Sequence, residues 1–313
     1  MNRSAGTGTP PQSKSLLKRR TIEAVAFTGS LLLLFGCGGS GTTPTGGGNG
    51  TISGRAIYGQ MNGATVKAYG INNGAAGAQI GSATSDAQGN FSVSIGTYSG
   101  PVMLQVSGGT YTDVATGATM TMQSGDVMTS VMPSVAAGSS TTGILVTPVT
   151  SMAQVRGRNM AGGMTDANIT AANAAMASYF SMSDILHTSP MDPLMSGSGA
   201  GATQDAKNYG MTIAAMSQYA AGLGMPHSCG IVTAMMDDAA DGVMNGMMGS
   251  TPVSMTGMGG MMGGGMMQAN TGTSGLANAM TQFMNSAMNR SGITVPDMQP
   301  LITKLDTSNG TIQ

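Results

Sequence analysis

Between residues 51 and 147 the hydrophobic positions come in short alternating runs. Phe91, Val93 and Ile95 fall on one face of an extended segment and Asn90, Ser92 and Ser94 on the other, the period-two pattern of a strand buried on one side. Val102, Leu104 and Val106 repeat it. The runs 51–57, 65–69, 79–84, 90–95, 101–106, 118–122, 127–131 and 143–147 are accordingly predicted as strands. Between them stand Asn62-Gly63, Asp86-Ala87-Gln88-Gly89 and Ser107-Gly108-Gly109, turn sequences that supply positive backbone angles. In the second of these, Asp86 can hold its own turn and Gly89 can take the positive φ, which favours a structural hairpin over a calcium loop. Short strands at this spacing predict an antiparallel β-sandwich.

From Pro148 onward the period lengthens. Thr165 is placed to cap a helix over 165–180, with Ile169, Ala172, Met176 and Phe180 at helical spacing. The stretch 203–223 sets Met211, Ala215 and Tyr219 four apart and stops at Gly222 and Gly224. Two further helices are predicted over 226–243 and 274–289, separated by a Gly, Met, Ser and Thr tract at 246–272 that reads as a loop. Pro296 and Pro300 are expected to close the last ordered region, with Leu301, Ile302 and Leu305 docking back. The predicted class is α+β, an N-terminal antiparallel β-sandwich (51–147) followed by an all-α C-terminal domain (148–313).

Ahead of both lies a basic stretch, 14–20, and an apolar one, 24–35. The apolar run is too short for a hydrocarbon core of ~30 Å, which needs about 20 such residues. It ends in Leu34-Phe35-Gly36-Cys37 and resembles a bacterial lipoprotein signal. Arg19-Arg20 is not continued as a twin-arginine motif by Thr21-Ile22-Glu23. The resemblance implies that residues 1–36 are a signal peptide and that Cys37 becomes the acylated first residue of a membrane-anchored chain. Gly38, in place of Asp, resembles lipoproteins sorted to the outer membrane, where the chain would face the periplasm or the cell surface. Residues 37–50, rich in Gly and Thr, would be the tether.

Composition sharpens this picture. The 313 residues include 32 Met and 50 Gly but no Trp, and aromatics are 4%, so the core must be built from Val, Ile, Leu, Ala and Met. Beyond Cys37, seven Lys and Arg face twelve Asp, a net charge of −5 without a basic stripe. Phosphate affinity rests on clustered cations, so nucleic acid is set aside as a partner. Only Cys229 remains beyond Cys37, which leaves no intramolecular disulfide to staple the fold.

Ser53-Gly54-Arg55-Ala56, the 64–69 strand and Thr84-Ser85-Asp86-Ala87-Gln88-Gly89-Asn90-Phe91-Ser92-Val93 resemble the carboxypeptidase regulatory-like, transthyretin-like domain. The segments 108–113 and 146–150 look like parts of bacterial lipoproteins that append a helical domain to that sandwich. The resemblance covers about half the chain. It implies a scaffold and carries no catalytic residue across.

Candidate chemistry is sparse. Met255, Met258, Met261, Met262, Met266 and Met267 crowd the 246–272 tract, and thioethers are soft donors suited to Cu(I). His227 and Cys229 form a second soft pair, with buried packing as the simpler role for the Cys. Asp237, Asp238 and Asp241 read as a solvated acidic face, since their spacing is not that of an EF-hand. No Glu survives beyond Cys37, so no paired-carboxylate glycosidase site can be argued. Three readings stand. The leading one is a non-enzymatic outer-membrane lipoprotein, without cofactor, that serves a structural role or binds an envelope protein or glycan. The second is an exported copper-handling protein using the Met-rich loop. The third is a hydrolase with an inter-domain site near His227 and Cys229.

Overall fold

The computed structural model describes residue 1, residues 49–255, residue 267 and residues 271–313. Contacts divide the chain between Thr45 and Gly46, and the secondary structure of the described residues lies in the second unit, Gly46–Gln313. Strands come first: β1 (Gly50–Ala56), β2 (Thr65–Asn72), β3 (Ala75–Thr84), β4 (Asn90–Gly96), β5 (Gly100–Ser107), β6 (Thr110–Thr112), β7 (Thr119–Thr121), β8 (Val127–Val135) and β9 (Ser140–Val146). Helices follow: α1 (Pro148–Asn159), α2 (Asp166–Tyr179), α3 (Gln204–Gly222), α4 (Gly230–Ala239), α5 (Leu276–Met284) and α6 (Val295–Thr307). The class is mixed α+β.

Two sheets carry the strands, in the orders β4-β1-β9 and β3-β2-β5-β8, with β6 and β7 as a separate ribbon. Pairing is antiparallel except between β1 and β9, which run parallel. That pair departs from the antiparallel expectation. β8 belongs to the four-stranded sheet, so the reversal at 136–139 carries the chain across to the other sheet, where β9 enters alongside β1 in the same direction.

In β4, Phe91, Val93 and Ile95 are buried while Asn90, Ser92 and Ser94 are exposed, as the alternation predicts. The hairpin before it also forms as read: Asp86 Oδ1 accepts the Gln88 and Asn90 N–H groups at 2.9 and 2.8 Å, and Gly89 takes φ +80°. Hydrogen bonds from the Asn90 side chain and backbone hold the Asp86 carboxyl below its ordinary range.

Both sheets feed one apolar cluster, through Ile52, Phe91 and Val93 on one side and Val66, Leu104 and Val106 on the other. The same cluster continues into the helices through Met152, Met176, Met211 and Phe283. Residues of β5 are buried on both faces, because Met103, with Ile71 and Val131, packs against Met164 and Ile169 at the start of α2.

α1 has no counterpart among the predicted helices. Residues 148–155 are buried on every face, polar ones included, so no amphipathic stripe marks it. Its start is nevertheless strongly specified: Thr147 and Thr150 form a capping box, and Pro148 sits in the first turn, where an N–H is not needed. Its buried hydroxyls turn to the free edge of β8. The Thr129 N–H donates to Ser151 Oγ at 2.8 Å, and Thr150 Oγ1 donates to the Thr129 carbonyl at 2.7 Å. Asn173 of α2 donates to the Val131 carbonyl at 3.0 Å.

The C-terminal prolines do not close the ordered region. Pro296 falls in the first turn of α6 and Pro300 inside it, and burial of Met298, Leu301, Ile302 and Leu305 offsets the bond that Pro300 cannot make. α4 is shorter than the predicted 226–243. The Met-rich tract is anchored at its ends: Met247–Met248 pairs with Thr251–Pro252, Val253, Met255 and Met267 are buried in the main cluster, and the Met267 N–H donates to the Val253 carbonyl at 2.7 Å.

Candidate functional site

A cavity of about 570 Å³ opens along the seam between the end of β1, the segment after β6, the 189–198 segment and the start of α3. Its lining is chiefly apolar, with Ile57, Val114, Leu194 and Ile213 among the walls. The 189–198 wall is held by its own turn chemistry. Asp192 Oδ1 accepts the Leu194 N–H at 2.9 Å, the Ser198 hydroxyl donates to the Asp192 carbonyl, and the Met191 N–H donates to the Ala206 carbonyl at 3.0 Å. Gly210 lets this wall lie against α3, since a Cβ there would come within 2.1 Å of the Met191 carbonyl oxygen. Gly210→Ala gains about 1 kcal/mol of helix propensity and must still displace backbone. We expect a net loss of about 1–3 kcal/mol in urea unfolding.

Two opposite charges line this cavity, Arg55 and Asp192. The Arg55 guanidinium donates Nε and Nη2 to the Gln88 carbonyl at 3.4 and 3.2 Å, a neutral partner. Neither charge belongs to an ion pair among the described residues, where the single pair joins His187 Nδ1 to Asp184 at 2.7 Å on an exposed turn.

A second polar group is buried under β6 and the start of α4. Asp113, 1% exposed, accepts at Oδ2 from Ser217 Oγ (2.9 Å) and from Ser228 Oγ, and at Oδ1 from the Thr116 N–H (2.9 Å) and hydroxyl (2.7 Å). The Tyr111 hydroxyl accepts the Cys229 N–H at 3.1 Å, Tyr58 donates to the Ser228 carbonyl at 3.0 Å, and the two rings lie 5.4 Å apart at 55°. Burial raises the Tyr111 phenol to about 12. Ser217, Ser228, Tyr111 and Tyr58 thereby tie the strand region to the helices, which makes this group a clasp.

No family model matches this chain, and no curated protein matches it.

Cys37, Met258, Met261, Met262 and Met266 lie outside the described residues. Met255 and Met267 are packed in the apolar cluster, and their thioethers serve that core. Cys229 is 1% exposed, and burial, followed by the nearby Asp126 charge, pushes its thiol up, away from the thiolate that metal binding or nucleophilic attack requires. His227 Nδ1 lies 3.5 Å from Gln123 Nε2. Among the described residues, no three His, Cys, Asp or Glu gather as metal ligands.

The acidic run is not a uniformly solvated face. Asp241 is exposed, but Asp238 is fully buried, with Oδ1 accepting the Gly246 N–H at 2.6 Å and Oδ2 unpartnered. Burial raises this carboxyl to about 7, against the lowering effect of backbone N–H groups at 245–247. Spacing suggested exposure because Asp237 and Asp241 share a face; Asp238 is turned inward on the next. Sequence reasoning placed an inter-domain site only near His227 and Cys229 and gave no site role to any residue that lines the seam cavity. Its walls come from stretches over 130 residues apart, and the one local signal was Asp192 two residues before Leu194, where a side chain can cap its own turn.

Proposed function

We propose that this chain is a lipid-anchored outer-membrane lipoprotein whose folded body binds its ligand without transforming it. The observation that carries the binding role is the seam cavity, largely apolar and lined by two charges of opposite sign that no ion pair consumes, which is how recognition sites are built. Two sheets sharing one core, followed by helices, support the finer reading of a transthyretin-like sandwich with a helical partner. The Leu34-Phe35-Gly36-Cys37 pattern supports the anchor. A partner in the envelope, peptide or glycan, fits that address.

The anchor is tested by expression with its own leader in a double-membraned bacterium. The wild-type chain should incorporate labelled palmitate and fractionate with outer membranes, and Cys37→Ser should abolish the label and release or stall the chain. An unlabelled wild type, or a Cys37→Ser form that stays with outer membranes after a carbonate wash, overturns the reading.

A further inference from the structure

We propose that the seam cavity takes a short peptide of about two or three residues with apolar side chains and both ends free, its carboxylate meeting Arg55 and its ammonium meeting Asp192. This rests on the binding role assigned above and names the ligand.

The argument begins with the two charges. Arg55 spends Nε and Nη2 on the neutral Gln88 carbonyl, with the Asp86 charge close enough to be felt but outside ion-pair distance, and Asp192 spends Oδ1 on its own turn, so each keeps unspent hydrogen-bonding capacity and neither is in an ion pair among the described residues. A neutral apolar ligand filling the cavity would strip water from both and repay neither, and desolvating an unpaired charge is the costliest outcome of burial. A purely anionic ligand would satisfy Arg55 and be repelled by Asp192. A cationic one would do the reverse. Only a ligand bearing both signs pairs both walls, and the Arg fork suits a carboxylate in particular.

Placement asks for more than one residue, and the cavity volume limits how many. In a free amino acid both charges sit on one carbon, whereas Arg55 comes from the end of β1 and Asp192 from the opposite segment, beyond ion-pair distance of each other. Each residue added to an extended chain separates its ends by about 3.3–3.6 Å. The volume, about 570 Å³, falls within the ~300–1,000 Å³ of small-ligand sites, and Ile57, Val114, Leu194 and Ile213 offer apolar contact to side chains between the charged ends.

Isothermal titration of the full-length chain in detergent, using Leu-Ala-Leu, its N-acetyl form, its C-amide and the doubly capped peptide, tests this. We expect saturable binding of Leu-Ala-Leu, weakened at least about tenfold by either cap. Asp192→Asn, which keeps Oδ1 for the Leu194 N–H, should remove the discrimination against N-acetylation and preserve that against amidation. Ala202→Phe, which narrows the cavity, should weaken every form. Equal binding of capped and free peptides that Ala202→Phe still weakens overturns the zwitterion and leaves a binding cavity. Absence of saturable binding by all four peptides at millimolar concentration overturns this ligand class. Peptide binding untouched by Ala202→Phe, in a variant with an unchanged unfolding midpoint, overturns the cavity's binding role as well.

Discussion

Asp113→Ala should cost about 2 kcal/mol and loosen the seam between strands and helices. The substitution strips the acceptor from Ser217 and Ser228, both closed off from water, and from the N–H and hydroxyl of Thr116, an exposed residue. Ser228 can swing towards the Tyr111 hydroxyl, 3.3 Å away, and recover part of the loss. Thr116 can turn to water, and Ser217 is left as a buried donor at about 1–3 kcal/mol, less what the carboxylate's own desolvation had cost. Asp113→Asn retains one acceptor oxygen and lets the two serines reverse their roles at Nδ2, so its loss should be about 1 kcal/mol. Urea unfolding gives the magnitudes. Location is read from the neighbouring thiol: in a Cys37→Ser background, where Cys229 is the single Cys, Asp113→Ala should make Cys229 react with a disulfide reagent well before global unfolding. An Asp113→Ala chain as stable as wild type, with Cys229 still protected, would show that the clasp holds nothing.

The second large effect is pH-dependent and centres on Asp238. Its carboxyl is raised from 3.8 to about 7 in the fold, so the native state binds its proton more tightly than the unfolded chain does. Stability from this group is complete below about 3.8 and is lost as pH rises through about 7. Asp238→Asn copies the protonated form at every pH. The variant should exceed wild type by on the order of 3–4 kcal/mol at pH 8, with the gap narrowing by about 1.4 kcal/mol per pH unit below 7. The neighbouring Asp241 charge adds to the upward push, so Asp241→Asn should reduce the gap. Chemical unfolding between pH 5 and 8 decides it. A gap that stays constant or widens as pH falls would mean that the carboxylate is satisfied in its charged form.

What the chain announces in advance is whatever its neighbours along the sequence determine. Strand alternation placed β1, β2, β4 and β5 because each puts every second side chain into the core, and Thr165 marked the start of α2 because a cap is a local device. α1 escaped notice because its polar side chains are spent on β8, a partner about 20 residues earlier. The two prolines of α6 look like a stop although they lie within the helix, while Leu301, Ile302 and Leu305 dock back as their apolar spacing suggests. The candidate sites lie beyond such reasoning. Asp113 meets Ser228 across 115 positions, and Arg55 shares a cavity with Asp192 only because the fold joins the two halves in one core.

The stitching of β8 to the helices bears on how copies of this chain treat one another. An uncovered sheet margin is a template on which a second polypeptide can add itself, and the hazard grows with crowding. Ser151, Thr150 and Asn173 occupy the positions that an incoming strand would need on one margin of the four-stranded sheet. The opposite margin, β3, pairs with β2 through two register breaks, so it offers a poor straight edge for extension. Polar residues that a stability tally would count as a burden thus deny the β8 margin to a neighbouring molecule's strand.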